Sequence, residues 1–134
     1  MGKTIKTFLL IILILSLSAC GGNVKNVNIV DVDSDIYSET EINDAIDMVL
    51  KFFKENFGGC SLKEIQYVGD DYHEEFEEWA DQYKAEQAIV LVSLFDVDSS
   101  GGDGSLNPNS TYDNWKWILT RDDNKEWILQ TWGY

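Results

Sequence analysis

The stretch from Ser38 to Gly59 limits the possible folds more than any other part of the chain. Ser38-Glu39-Thr40-Glu41 is a capping box: Ser38 can accept from the amide three residues on, and Glu41 can reach back to the cap amide. Behind it Ile42, Ala45, Ile46, Val49, Leu50, Phe53 and Phe57 recur at steps of three and four, while Asp44, Asp47, Lys51, Lys54 and Glu55 lie mostly off that stripe. Gly58-Gly59 supplies the stop, because glycine enters the left-handed region at least cost. The pattern predicts a long amphipathic helix, and its stripe has to be buried against something flat and apolar.

The rest of the chain offers such a surface. Leu62–Val68 reads as a strand with imperfect alternation. Gly69-Asp70-Asp71 turns the chain and can cap a second, shorter helix over Tyr72–Lys84, with Phe76, Trp79, Ala80 and Tyr83 as a narrow apolar stripe. Glu74, Glu75, Glu77, Glu78 and Asp81 form its outer face, and acids in a first turn complement the helix dipole. Ala88–Val97 is apolar on both sides and predicts a covered strand, followed by a long polar loop over Asp98–Asn114. Trp115–Thr120 and Trp127–Trp132 alternate about a turn at Arg121–Lys125, which predicts a hairpin. Trp115, Trp117 and Leu119 then share one face, as do Trp127, Leu129 and Thr131. The predicted class is α+β, with the long N-terminal helix packed on a curved antiparallel sheet.

Ahead of this domain stands a sorting signal. Lys3 and Lys6 precede an almost unbroken apolar run, Phe8–Leu17, and Ser18-Ala19-Cys20-Gly21 follows. About ten residues make ~15 Å of helix, half of a ~30 Å hydrocarbon core, which suits a signal peptide better than a permanent span. Leu17-Ser18-Ala19-Cys20 resembles the lipobox of bacterial lipoproteins, which implies cleavage before Cys20 and acylation of its thiol. The expected organisation is a signal peptide over 1–19, the lipidated Cys20 with a flexible tether over 20–37, and one α+β domain over 38–134. A short strand is expected in the tether near Val27–Val32. The lipid on Cys20 would hold the protein on the extracytoplasmic face of the membrane, with affinity supplied by its buried methylenes.

Charge narrows the function classes. Asp and Glu number 24 against 10 Lys and Arg in 134 residues, a formal charge of -14 that repels nucleic acid phosphates. Nucleic-acid binding is excluded on that ground. With Cys20 acylated, Cys60 is the remaining thiol, so no disulfide can form within the chain; it reads as small, buried and inert. Zinc held by Cys and His is excluded by count, and the single His73 has no Gly-x-Ser-x-Gly elbow to serve. The sharpest candidate for chemistry is the acidic loop. Asp96, Asp98, Ser100 and Gly101 repeat the opening of a calcium loop, Asp103 adds a hard oxygen donor, and Asn107 or Asn109 could complete a shell. Two departures count against calcium as a cofactor: the twelfth position is Asn107 where a bidentate Glu is needed, and a strand precedes the loop where an EF-hand has a helix. Trp132 and Tyr134 at the end of the chain, or Tyr112 and Trp115 after the loop, could anchor a partner.

The predicted order of elements and the ending Trp-Lys-Trp-Ile-Leu-Thr with Glu-Trp-Ile-Leu-Gln-Thr-Trp-Gly-Tyr resemble the cystatin-like or nuclear-transport-factor-like cone-shaped domains. The stretch Phe95–Tyr112 is similar to a family of small Gram-positive bacterial lipoproteins that carries no assigned activity, and that similarity would extend over Ser38–Tyr134. The resemblance implies a curved sheet with a concave mouth. The expected function is a cell-envelope binding or accessory module, with a basic protein or a small ligand as its partner. A calcium-dependent module using Asp96–Asn109 is the alternative, and a small enzyme in the cone ranks below both.

Overall fold

The computed structural model describes residues 21–123 and 125–134. Lys3, Lys6, the apolar run and Cys20, with the cleavage and acylation expected there, lie outside the described residues. The elements run β1 (Asn28–Val30), α1 (Glu39–Asn56), β2 (Cys60–Tyr67), a single 3-10 turn (Asp70–Tyr72), α2 (His73–Tyr83), β3 (Gln87–Val97), β4 (Thr111–Arg121) and β5 (Ile128–Gly133). The fold is α+β, with two helices on a five-stranded mixed sheet. Among the described residues no helix is long and apolar enough to cross a membrane.

Both halves of the capping box start α1: the Glu41 amide donates to Ser38 Oγ at 3.1 Å and the Ser38 amide to Glu41 Oε1 at 3.0 Å. Ile42, Ala45, Ile46, Val49 and Phe53 are buried along its stripe. The helix closes where the Phe57 amide donates to the Phe53 carbonyl, and Gly59 turns the chain at φ +77°. Phe53 meets Phe95 at 5.6 Å and Trp117 at 6.3 Å between ring centres, which seats α1 on β3 and β4. Side chains as fully buried as Phe53, Phe95 and Trp117 each contribute about 1.5–3 kcal/mol.

The strands lie side by side in chain order, β1-β2-β3-β4-β5, and β2 to β5 pair antiparallel. The sheet as a whole is mixed, not antiparallel as expected, because β1 pairs parallel to β2. The chain passes through α1 between those two strands, and this helical crossover carries it back to the end of the sheet at which β1 begins. Residues 21–37, read from the sequence as part of a flexible tether, are seated on the domain as well. The Asn23 amide donates to the Cys60 carbonyl, the Leu62 amide to Asn23, and the Gly22 amide to Lys54, each at 2.9 Å. Farther on, β1 joins β2 and Tyr37 is buried. The rim of β2 has backbone groups to satisfy, and Val24, Val27 and Val32 add apolar surface to the core, so the segment lies along the domain.

Successive residues of a strand point to opposite faces. Trp117 of β4 packs on α1, while its neighbour Lys116 bonds Glu75 of α2 at 3.1 Å, so the helices flank the sheet on opposite faces. On β3, Leu91 pairs with Trp117 on the α1 side, and Val90 with Ile118 on the other. This is why β3 is buried on both faces. β4 starts at Thr111, earlier than the Trp115 expected, because Thr111 and Tyr112 pair with Asp96 and Phe95. In β5 an irregularity beside Gln130 breaks the alternation: Leu129 pairs with Leu119, but Thr131 pairs with Ile118. Leu129 and Thr131 therefore do not share a face, and Trp132, opposite Trp117, takes the place on the α1 side.

Candidate functional site

The C-terminal end of α1 carries an aromatic cleft. The last turns of the helix present Phe52 and Phe57; β4 brings Trp115, β5 brings Trp132, and Leu106 and Asp103 come from the loop after β3. The hollow between them measures about 420 Å³. A slightly larger one, about 490 Å³, lies between residues 29–34 and the first turns of α1, and Asp31, Asp33, Ser34, Ser38, Glu39 and Asn43 make its surface more polar. The aromatic cleft has the shape and lining of a small-ligand site. Phe52 and Trp132 are 4.6 Å apart between ring centres, and Phe57 meets Trp115 edge-on at 6.5 Å. Tyr134 extends this surface, 5.4 Å from Trp115 and 6.0 Å from Tyr112. Among the described residues the Trp115 Nε1 donor is the one buried side-chain nitrogen or oxygen without a partner. A buried donor left unpaired costs about 1–3 kcal/mol.

The loop over 98–110 is fastened across the end of α1. The Asp98 amide donates to the Gly59 carbonyl at 2.9 Å, the Val97 amide to Ser110 at 2.8 Å, and the Asn109 amide to Asp98 at 2.9 Å. Gly59 has to be glycine here, since its φ is positive and an added Cβ would lie 2.5 Å from Ser100 Oγ. The expected calcium donors are engaged in bonds of the loop itself and of the strands beside it. Asp96, on β3, accepts from Thr111 Oγ1 at 2.7 Å. Asp98 accepts from the amide and the hydroxyl of Ser100, and Asp103 from the amide and the hydroxyl of Ser105. Those serine hydroxyls hold both carboxyls below the ordinary carboxylate range. The Asn107 amide donates to Tyr112 Oη, and Asn109 takes a positive φ in the turn. Among the described residues, Asp96, Asp98 and Asp103 do not gather into a cluster of carboxylates that could hold a metal ion.

Cys60 is buried beside the cleft, and burial together with Asp98 and Asp103 raises its thiol to about 11. A thiol that stays protonated at neutral pH is a poor nucleophile. His73 cannot assist it, because β2 separates them: Cys60 starts the strand and Asp70, which faces His73 Nδ1, follows its end, ~23 Å away at ~3.3 Å per residue. On α2, Glu74, Glu77, Glu78 and Asp81 are exposed, whereas Glu75 turns inward to Lys116 and to Trp79 Nε1.

The sequence singled out Tyr112, Trp115, Trp132 and Tyr134, and the structure gathers all of them at one end. It also adds Phe52, Phe57 and Leu106, which sequence reasoning did not name for a site. Phe52 carried a usable signal: it is a large aromatic residue beside the helical stripe, with no place in it. Set against protein-family models, curated proteins and solved structures, the chain matches none of them.

Proposed function

We propose that the chain is a lipoprotein held on the extracytoplasmic face of the membrane through Cys20, and that its domain is a binding module whose ligand enters the aromatic cleft. In this reading the build is that of a cystatin-like cone, with α1 laid across antiparallel strands and further elaborated by β1 and α2. The cleft is the observation that carries the proposal: Phe52, Phe57, Trp115 and Trp132 line it, Asp103 stands at its lip, and no Lys, Arg or His is among its walls. Such a lining favours a flat or aliphatic group that is neutral or cationic. The net charge of -14 attracts cations to the surface as well. A basic segment of an envelope protein, with its cationic or aromatic side chain in the cleft, fits both properties.

A tryptophan-free peptide of Lys and Phe residues, titrated while the intrinsic fluorescence is followed, tests this. Saturable binding is expected that weakens from low to physiological salt and is lost in Trp132→Ala. No saturable change at low salt would overturn it. The lipid anchor has its own test, since Cys20→Ala should release the protein from the membrane fraction, and unchanged retention would remove that part of the proposal.

A calcium-dependent module is the second reading. Asp98 and Asp103 favour it, because both are solvent-facing and ionised and the loop's own bonds use one oxygen of each. On this reading millimolar calcium raises the melting temperature over that in EDTA by roughly 10 °C, the effect of ligand at about a hundred times its dissociation constant. The double change Asp96→Ala and Asp98→Ala would abolish the rise. Equal melting temperatures in EDTA and calcium would reject it.

A further inference from the structure

We infer that the domain stands with the C-terminal end of α1, the 98–110 loop and Trp132 towards the lipid surface, with Trp132 and Tyr134 at headgroup level. The inference rests on the Cys20 anchor proposed above and adds an orientation to it. Gly22 and Asn23 are seated against the end of α1 and the start of β2 through the bonds to Lys54, Cys60 and Leu62, and Gly21 lies against Lys54. The fit is close: a Cβ on Gly21 would lie 2.4 Å from the Lys54 carbonyl oxygen, and one on Gly22 2.4 Å from that of Phe53. Consecutive Cα atoms are ~3.8 Å apart, so an acyl-bearing Cys20 has no spacer between its lipid and this end of the domain.

That end has the side chains an interface requires. Trp132 is 41% exposed and Tyr134 79%; Tyr134 adjoins Tyr112 and Trp115, and Trp132 lines the cleft with Trp115. Tyr and Trp rings prefer the boundary between headgroups and hydrocarbon, where the ring is apolar and its polar atom stays wet. Lys51 and Lys54 on the last turns of α1 are exposed and can meet lipid phosphates. Asp98 and Asp103 are exposed at the same end, so the surface it suits is zwitterionic, and anionic lipid would be repelled from the loop. The aromatic cleft then opens beside the headgroups.

The test uses the full acylated chain in phosphatidylcholine vesicles that contain a headgroup-labelled acceptor lipid. A donor dye is placed on Glu55→Cys or on Glu39→Cys, at the two ends of α1. Energy transfer is expected to be at least about twofold stronger from position 55, because the two sites stand ~24 Å apart along the helix. In Gly22→Val, with the fold checked by circular dichroism, the difference should shrink, because the larger side chain unseats the entry segment. Equal transfer from both positions in a protein that floats with the vesicles overturns the orientation and leaves the anchor standing. Failure of the acylation-competent chain to float overturns the anchor and the orientation together. A difference unaltered in folded Gly22→Val overturns the role of the seated glycines.

Discussion

At the residue scale, one carboxylate joins two distant parts of the chain. Asp70 accepts from Ser34 Oγ at 2.6 Å, from the Asp35 amide at 2.7 Å and from Tyr67 Oη at 2.7 Å. These donors, the Ser34 hydroxyl foremost, hold its carboxyl below the ordinary value, and burial with the Asp70 contact pushes the Tyr67 hydroxyl up. Asp70→Ala is expected to destabilise by about 1–3 kcal/mol in urea unfolding at neutral pH, since it strips the partner from a fully buried tyrosine hydroxyl. A carboxyl whose folded pKa is depressed adds stability above its unfolded value of about 3.9, and that stability is lost as pH falls through the folded value. The difference between wild type and Asp70→Ala should therefore be full at pH 6 and shrink steadily below pH 4. A constant difference over that range would refute the clasp. Sequence reading assigned Asp70 to capping the second helix; the structure uses Tyr72 at that position with no side-chain cap. Nothing in the sequence distinguishes an Asp that caps its own helix from one that reaches a loop 36 residues away.

At the scale of elements, α1 was the most legible part of the molecule. Its box, stripe and glycine stop are local signals, and each takes the predicted place in the structure. What fixes its first turn to the sheet was not legible. Arg121, at the end of β4, is 7% exposed, pairs with Glu41, donates to Gln87 Oε1 at 2.7 Å and lies 4.2 Å from the centre of the Trp127 ring. From the sequence it reads as a hairpin-turn residue, because only the longer reach of β4 carries it inside. Arg121→Met keeps the aliphatic stem and removes the charge and its hydrogen bonds, and is expected to cost about 1.5–3 kcal/mol in urea unfolding. Glu41 is held ionised chiefly by its bond to the Ser38 amide; Ser38→Ala keeps that amide but removes the Ser38 Oγ that fixes the Glu41 amide, so it should loosen the same corner and add less than its own effect to Arg121→Met. Full additivity of the two would show that cap and ion pair act separately. The parallel rim and the irregularity beside Gln130 were missed for a common reason: both arise from register between strands, which spacing within one strand does not encode.

For the whole molecule, the α+β class was readable because helical and strand periods alternate clearly along the chain. The mixed sheet, the placing of the helices on opposite faces and the cleft were not, since each depends on how elements meet. The net charge of -14 is a property of the entire surface, and it destabilises the compact state by self-repulsion. Sodium chloride raised from 20 to 500 mM should therefore increase the melting temperature, and a decrease would show that attractive pairs such as Lys116–Glu75 outweigh the repulsion.

The order of strands in the sheet has a further consequence, for the route by which the chain reaches this shape. Each strand lies next to the one that precedes it in the chain, so no strand has to insert between two already joined. The sheet can grow by accretion, and each pairing closes a loop within one connection, where the entropy of closure is lowest. A topology of this kind spares the sheet the pairing of its most distant strands, the step that most slows folding. Once the hairpin of β3 and β4, which shares the longest register, has formed, growth can proceed towards either rim. The last strands to settle are then the short outer ones, β1 and β5.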